Sequence, residues 1–104
     1  MIRWSPRGKQ RLLGCMRYIA EQSQDWPIVI NWRDRVYEAV EHLEDFPEAG
    51  TVVRELNRND IRQVIVGDYR VIYRVKRRTP EIIWLFMNSM KVSQLTRHLL
   101  LPVA

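Results

Sequence analysis

The sequence contains a single cysteine and only two histidines, and none of its apolar runs approaches the length of a membrane-spanning helix. The lone Cys15 has no partner in the chain for a disulfide, which argues against a disulfide-stabilised secreted fold and favours a cytoplasmic location. His42 and His98 lie far apart and give no metal-ligand spacing with Cys15. We therefore expect no metal, no cofactor and no membrane partner.

Cations interrupt the N-terminal residues at Arg3, Arg7, Lys9 and Arg11, where a signal peptide would carry an apolar segment, so no signal peptide is expected. Apolar residues make up 46% of the chain and charged residues 28%, which is typical of a folded globular protein and argues against disorder. A length of 104 residues predicts a single domain over residues 1–104.

Positive charge is concentrated in the second half of the chain. The net charge of +5 divides into −1 for residues 1–50, with seven cations and eight carboxylates, and +6 for residues 51–104, with ten cations and four carboxylates. A basic surface of this kind suits nucleic acid or an acidic protein partner, and it also favours solubility without any partner. Charge alone does not distinguish these three interpretations.

Two β-rich runs, Ile61–Val66 and residues 69–75, are separated only by Gly67 and Asp68. A two-residue linker that contains glycine is a strong sign of a β-hairpin, because glycine adopts the positive φ that primed turns require. If these two residues form the turn, the strand register follows by counting outward from it. The cross-strand pairs that this predicts are Val66–Tyr69, Val64–Val71 and Arg62–Tyr73.

Side chains alternate across a strand, so this register gives the hairpin two different faces. The nearly apolar face, which should pack on a core, comprises Arg62, Val64, Val66, Tyr69, Val71, Tyr73 and Val75. The opposite face, here called the outer face, mixes cations with isoleucines and is expected to be open. It comprises Ile61, Gln63, Ile65, Arg70, Ile72, Arg74 and Lys76.

Two helices are predicted before this hairpin. Ser5 and Pro6 are typical of a helix start, because serine accepts a hydrogen bond from a free backbone amide and proline suits the first turn. A second helix begins at Asp25 or Trp26, with Pro27 in its first turn. Its apolar stripe, spaced by three and four residues, comprises Val29, Trp32, Val36, Ala39 and Leu43.

The remaining predicted elements are short. Residues 1–4 and 51–56 are predicted as strands, residues 77–80 as a turn, residues 81–87 as a buried strand and residues 91–101 as a terminal helix. Because short turns join antiparallel neighbours, we expect an α+β fold. An N-terminal β-strand and an α-helical hairpin would pack on one face of a mostly antiparallel sheet of three to five strands, with a short C-terminal helix.

Three segments together resemble a known toxin superfamily. They are residues 43–50, with the pattern L-x-x-F-P-x-x-G, Arg54–Leu56, which reads R-E-L, and residues 67–73, with the pattern G-x-Y-R-V-I-Y. In this order they are similar to the RelE/ParE toxins of type II toxin–antitoxin systems, over residues 2–87. The resemblance implies a toxin that a cognate antitoxin neutralises and that reaches operator DNA only through that antitoxin.

The superfamily has two activities. RelE-like members are ribosome-dependent endoribonucleases that cut mRNA, whereas ParE-like members inhibit DNA gyrase by binding. Carried over to this chain, the nuclease residues would be Arg62, Arg70, Tyr73 and His98. Val64 stands where a further cation would be expected, and arginine stays protonated, which makes it a poor base. The register also places Arg62 and Arg70 on opposite faces, although a nuclease needs its phosphate-binding cations to converge.

The leading interpretation is therefore a ParE-like gyrase inhibitor, and whether the protein is an enzyme stays open. Met87 stands where ParE-like toxins usually carry a histidine, and Asn88 and Ser89 replace a basic pair, so a degenerate, non-toxic member is a third interpretation. The candidates for target binding are Arg70, Arg74, Lys76 and Lys91. The candidates for antitoxin binding, on the helix stripes, are Leu12, Met16, Trp32 and Val36.

Overall fold

The structure, a computed structural model, describes residues 2–88. Two helices, α1 (Pro6–Ser23) and α2 (Trp26–Asp45), separate the short strand β1 (Arg3–Trp4) from the rest of the sheet. The strands that follow are β2 (Thr51–Val52), β3 (Ile61–Val66), β4 (Tyr69–Lys76) and β5 (Thr79–Met87). The α+β class is confirmed, whereas the helix predicted for residues 91–101 lies outside the described residues.

Both helices begin where the sequence predicts. Ser5 is the N-cap of α1, and its Oγ accepts a hydrogen bond of 2.9 Å from the Gly8 amide. Asp25 occupies the N-cap position of α2 without a side-chain capping hydrogen bond. A proline follows each cap in the first turn, where its missing N–H removes no helical hydrogen bond.

The five strands form one mixed sheet in the order β1-β5-β4-β3-β2. Strand β1 runs parallel to β5, and the other neighbouring strands are antiparallel. The predicted register of the β3–β4 hairpin is confirmed, with Val66 opposite Tyr69 and Arg62 opposite Tyr73. Gly67 has a φ of 58° whereas Asp68 is not in the left-handed region, as in a two-residue type II′ turn.

The main core lies between the two helices and the apolar face of the hairpin. Val71 and Tyr73 from β4 are fully buried there, together with Val36 and Leu43 from α2, and Leu12 of α1 packs in the same cluster. The face that was expected to meet a core therefore does so.

The segment that follows β2 corrects one prediction. Residues 51–56 do not form one strand, because β2 ends at Val52 and Arg54–Leu56 is a 3₁₀-helix. In an extended strand Val53 and Leu56 would point to opposite faces, since they are three positions apart. The 3₁₀ turn brings such residues to the same side, so that both are buried in one cluster.

That cluster covers the middle of the outer face and corrects the prediction that this face is open. Val53 and Leu56 pack there with Ile61, Ile72 and Phe86. Ile72 is 0% exposed and Ile61 is 1% exposed, so these two residues belong to a second, smaller core, whereas Ile65 of the same face is exposed as predicted. The sheet is therefore covered by the helices on one face and partly by this segment on the other.

Strand β5 contains an irregularity that the sequence analysis did not predict. The β4–β5 register shifts between Ile72 and Tyr73, which leaves Ile83 as the extra residue of a β-bulge. As a result Ile82 and Leu85, three positions apart, are both buried in the main core. The bulge thus sets which side chains of β5 remain on the outer face.

The turn between β4 and β5 is shorter than predicted. A turn over residues 77–80 is wrong, because β5 already begins at Thr79, opposite Lys76. Only Arg77 and Arg78 form the turn, with φ values of 52° and 64°. Positive φ at both turn residues is characteristic of the type I′ turn, which Asn-Gly favours and which arginine adopts unfavourably.

Candidate functional site

Arg70 is an outer-face cation that is held in place without being neutralised. Its Nε donates a hydrogen bond of 2.6 Å to Asn88 Oδ1, and its Nη1 donates one of 3.3 Å to Gln63 Oε1. Its guanidinium carbon lies 5.8 Å from the centroid of the Phe86 ring. All three partners are neutral, so within residues 2–88 this half-buried charge is oriented but not paired. Such a group can form a strong, charge-assisted hydrogen bond with a carboxylate or phosphate of a partner.

Asn88 acquires a role that its sequence position did not reveal. The resemblance given in the sequence analysis leads us to expect a basic residue at this position, and instead the Asn88 side chain accepts the hydrogen bond from Arg70. Its backbone N–H donates to Asp68 O at 2.6 Å, which ties it to the β3–β4 turn. A cation at this position would repel Arg70, whereas an amide orients it, so the substitution is compatible with an active arginine.

The remaining outer-face cations do not join Arg70 in one continuous site. Arg74 donates from Nη2 to Glu81 Oε1 at 3.2 Å and is therefore paired. Ile72 lies between Arg70 and Arg74 along β4, and it is covered by the second core. The structure thus separates the predicted target-binding residues into Arg70 at one end of β4 and Arg74 with Lys76 at the other. Lys91 lies outside the described residues.

Arg62 and Tyr73 are both engaged with the loop that leaves α2. The Tyr73 hydroxyl donates to Pro47 O at 2.8 Å and accepts from the Gly50 amide at 2.8 Å. Arg62 Nη1 donates to Gly50 O at 2.9 Å and to Glu48 O at 3.2 Å. Two side chains paired across β3 and β4 thereby hold the backbone of this loop against the sheet edge.

These contacts explain the spacing in the pattern L-x-x-F-P-x-x-G. A Cβ atom at Gly50 would collide with the Tyr73 hydroxyl and would lie 2.6 Å from Gln63 O. Only glycine allows the loop to approach Tyr73 this closely. Phe46 is the C-cap of α2, and the Pro47 carbonyl accepts the hydrogen bond from the Tyr73 hydroxyl, so the pattern encodes the attachment of this loop.

The pKa of Tyr73 is raised, chiefly because the side chain is buried. Its hydrogen bond from Gly50 and the nearby Arg62 guanidinium act in the opposite direction and are the smaller effects. The side chain is 0% exposed, so its hydroxyl is not accessible to a substrate. A buried phenol with a raised pKa and two backbone partners suits a structural role rather than proton transfer.

The predicted nuclease residues do not converge in the structure. Arg62 and Tyr73 lie on the face that packs on the helices and hold a loop, whereas Arg70 lies on the outer face. His98 lies outside the described residues. Of the four candidates, Arg62 and Arg70 are cations without an ion pair within residues 2–88, and only Arg70 lies on the outer face.

Three of the four candidates for antitoxin binding are core residues. Leu12, Trp32 and Val36 are buried against the sheet, and Met16 is partly buried against the same cluster. In this structure their side chains are therefore packing groups of the fold. Leu12 alone of the four also lines a shallow surface pocket, described next.

A pocket of about 180 Å³ lies where α1, α2 and β1 meet. Its lining residues are Trp4, Lys9, Leu12, Leu13 and Tyr37. Leu13 is 60% exposed, and the rings of Trp4 and Tyr37 meet edge to face with centroids 5.9 Å apart. This is an exposed apolar site with one cation at its rim.

Arg11 is a residue that the sequence analysis missed. Its Nε donates to Leu85 O at 3.0 Å, and its guanidinium carbon lies 5.1 Å from the centroid of the Trp84 ring. It thus satisfies a carbonyl of β5 beyond the end of β1. No local pattern in the sequence relates two residues 74 positions apart, so this contact could not have been predicted.

Within residues 2–88 no group of three or more His, Cys, Asp or Glu side chains could hold a metal ion. In the same part of the chain, neither helix has the length and apolar character that crossing a membrane requires. Cys15 is a buried free thiol whose pKa is raised by that burial, with a smaller opposing effect of Arg11.

The fold and the site together define a class: a small α+β domain in which a helical pair precedes a run of strands and a sheet face carries an oriented arginine. Residues 2–88 match the family model described as the ParE toxin of the type II toxin–antitoxin system, parDE. The chain therefore belongs to this family of the RelE/ParE superfamily, and its membership implies a cognate antitoxin partner. A search of curated protein sequences found no significant match.

Proposed function

We propose that this toxin inhibits DNA gyrase by binding and that its cognate antitoxin neutralises it. The observation that carries the proposal is that the polar side chains on the two faces of the β3–β4 hairpin make different kinds of contact. Arg62 and Tyr73, which a nuclease would use, hold the loop after α2, whereas Arg70 is oriented by neutral groups on the outer face. A cation presented in this way supports recognition of an anionic group on a target.

The test is a gyrase supercoiling assay with the purified full-length chain and with Arg70→Ala. Loss of one charge-assisted contact is worth about 1.5–3 kcal/mol, so the half-inhibitory concentration should rise by roughly 10- to 150-fold. Arg17→Ala is the matched control, because Arg17 is an exposed cation on α1, away from the outer face. It should inhibit like the unmodified protein.

A parallel assay measures ribosome-dependent cleavage of mRNA. No inhibition of gyrase together with specific mRNA cuts would replace the proposal by the endoribonuclease function. Failure of the chain to act in either assay, with no growth arrest on expression, would assign it to the degenerate, non-toxic class. Equal loss of gyrase inhibition in Arg70→Ala and Arg17→Ala would exclude a specific role for Arg70.

For neutralisation, we place the antitoxin contact at the pocket between α1, α2 and β1. An apolar side chain of the antitoxin would contact Leu13 and Tyr37, and an acidic neighbour would meet Lys9. An acidic segment with apolar anchors fits this combination, since its charge complements the rim cation while burial of the anchor supplies the affinity. Leu12 forms the floor of the site and contributes through packing.

Leu13→Glu tests this placement without altering the core, because Leu13 is exposed. The variant should fold normally and retain gyrase inhibition, and its binding to the co-purified antitoxin should weaken by at least about tenfold. Ile28→Glu is the control, since Ile28 is an exposed apolar residue of α2 outside this pocket. Unchanged antitoxin binding by Leu13→Glu would move the contact elsewhere.

A further inference from the structure

The β4–β5 turn carries dense positive charge on a strained backbone. Residues 74–81 contain four cations and one carboxylate, a net charge of +3. Arg74 pairs with Glu81, whereas Lys76, Arg77 and Arg78 are exposed and form no ion pair with any residue in the range 2–88. The unpaired charges are therefore concentrated at the turn itself.

The backbone conformation makes this arrangement unusual. Arg77 and Arg78 both have positive φ, at 52° and 64°. Residues other than glycine and asparagine adopt this backbone conformation unfavourably. A turn selected only to join two strands would favour Asn-Gly at these positions. Strained non-glycine residues concentrate at functional sites. The other two described non-glycine residues with positive φ, Gln24 and Asn57, are helix C-caps, whereas the two in this turn are both arginines.

The turn also extends beyond its neighbours in the sheet. The last β3–β4 pair is Ile61 with Arg74, and the first β1–β5 pair is Arg3 with Glu81. Among residues 2–88, no strand therefore flanks residues 76–79, which form the end of a two-stranded ribbon. Arg78 lines a cavity of about 530 Å³ that also contains Asp45 and Glu48, whereas Lys76 and Arg77 do not line it.

We propose that this ribbon end, residues 76–79, binds the phosphate backbone of duplex DNA by entering the major groove. The major groove of B-DNA admits a two-stranded β-ribbon, and arginine and lysine at its end would contact phosphates on either side. The narrow, deep major groove of A-form RNA does not admit such a ribbon. Residues 75–80 include no aromatic side chain, so the ribbon end lacks a stacking platform for single strands.

The binding is independent of sequence, because the contacts are with phosphates. It does not rest on gyrase being the target, and it differs from operator recognition, which the antitoxin would supply. A toxin that contacts DNA directly would be retained close to any target that is itself bound to DNA, whether or not that target is gyrase.

The double substitution Arg77→Asn with Arg78→Gly tests the proposal without damaging the fold. It installs the pair that type I′ turns favour, so the midpoint of thermal unfolding should stay the same or rise. The charge control is Arg17→Gln with Arg54→Gln, two exposed cations on α1 and on the 3₁₀-helix. Both variants lose two charges, and only the first loses them at the ribbon end.

The measurement is fluorescence anisotropy of a labelled duplex of about 20 base pairs, titrated with the full-length protein at several salt concentrations. Loss of two phosphate contacts should make the slope of log K against log salt shallower by about 1.8. If affinities converge at 1 M salt, binding at 0.1 M should weaken by roughly 60-fold for the turn variant. The control should keep the slope of the unmodified protein.

Three results would overturn the proposal. The first is no binding of the duplex by the unmodified protein at low salt. The second is an equal loss in the turn variant and the charge control, because net charge would then explain the binding. The third is equal affinity for a double-stranded RNA of the same sequence, which would assign the turn to another partner.

Discussion

Replacing Tyr73 by phenylalanine separates a structural tyrosine from a catalytic one. The change removes one oxygen atom and leaves the ring in the core. It also deprives Pro47 O of its donor and the Gly50 amide of its acceptor, both at 2.8 Å from a hydroxyl that is fully buried. An unsatisfied buried backbone group costs about 1–3 kcal/mol, so the two together predict a loss of about 2–6 kcal/mol of unfolding free energy.

This loss is a large fraction of the roughly 5–15 kcal/mol that stabilises a typical domain. For a chain of this size it corresponds to a fall of roughly 10 °C or more in the unfolding midpoint. Urea and thermal denaturation measure both quantities. Tyr18→Phe is the control, because Tyr18 is 45% exposed and its hydroxyl makes no hydrogen bond within the described residues.

The same variant predicts an activity result. If Tyr73 only holds the loop, Tyr73→Phe should retain full activity per folded molecule below its unfolding midpoint. If the unfolding free energy of Tyr73→Phe lay within about 0.5 kcal/mol of that of the unmodified protein, the hydroxyl would not hold the loop as described. A variant of normal stability that loses mRNA cleavage would instead reinstate the tyrosine as an acid.

Alkaline pH gives an independent check on the same residue. Because burial raises the pKa of Tyr73 above its ordinary value of 10.0, the neutral phenol stabilises the fold fully below that value. This contribution is lost as the pH rises through the folded-state pKa. Stability should therefore fall more steeply above pH 10 in the unmodified protein than in Tyr73→Phe. Burial also raises the pKa of Tyr69, so a weaker dependence should persist in the variant.

Three further changes test other contacts. Gly50→Ala should lower stability by about 1–3 kcal/mol, since its Cβ would collide with the Tyr73 hydroxyl; denaturation at the unmodified midpoint would contradict this. Cys15, buried and with a raised pKa, should react with a thiol reagent much more slowly in native protein than in denaturant, and equal rates would show that the site is open. Asn88→Asp should pair with Arg70 and reduce gyrase inhibition while thermal stability is unchanged or higher, and full inhibition would show that the charge of Arg70 is not used.

The hairpin could be predicted in detail because its turn is local. Gly67 supplies the positive φ, and counting from the turn gives the pairing of Arg62 with Tyr73. The opposite-face assignment of Arg70 followed from the same count. Where contacts between residues close in sequence determine the structure, the residue types were sufficient to predict it.

The missed features depend on contacts between distant segments. Val53 and Leu56 leave the sheet because Ile72 and Phe86 offer an apolar surface that no local pattern shows. The bulge at Ile83 likewise follows from how β5 packs on two sides. The sequence predicts a longer turn over residues 77–80, whereas the structure has a two-residue turn at Arg77 and Arg78, which are poor type I′ residues by local propensity.

The site follows the same division, and this bears on how the toxin motif should be interpreted. Arg70 and Tyr73 stand three positions apart in the pattern G-x-Y-R-V-I-Y, yet strand alternation places them on opposite faces. Tyr73 and Gly50 depend on each other. The missing side chain of Gly50 leaves space for the Tyr73 hydroxyl, and that hydroxyl accepts a hydrogen bond from the Gly50 amide. Arg70 differs, because its partners Asn88, Gln63 and the Phe86 ring are all neutral and leave its charge without an ion pair within residues 2–88. Within the motif, therefore, the tyrosine is explained by the loop that it holds, whereas the arginine keeps a charge that the described residues do not neutralise and that we propose a partner uses.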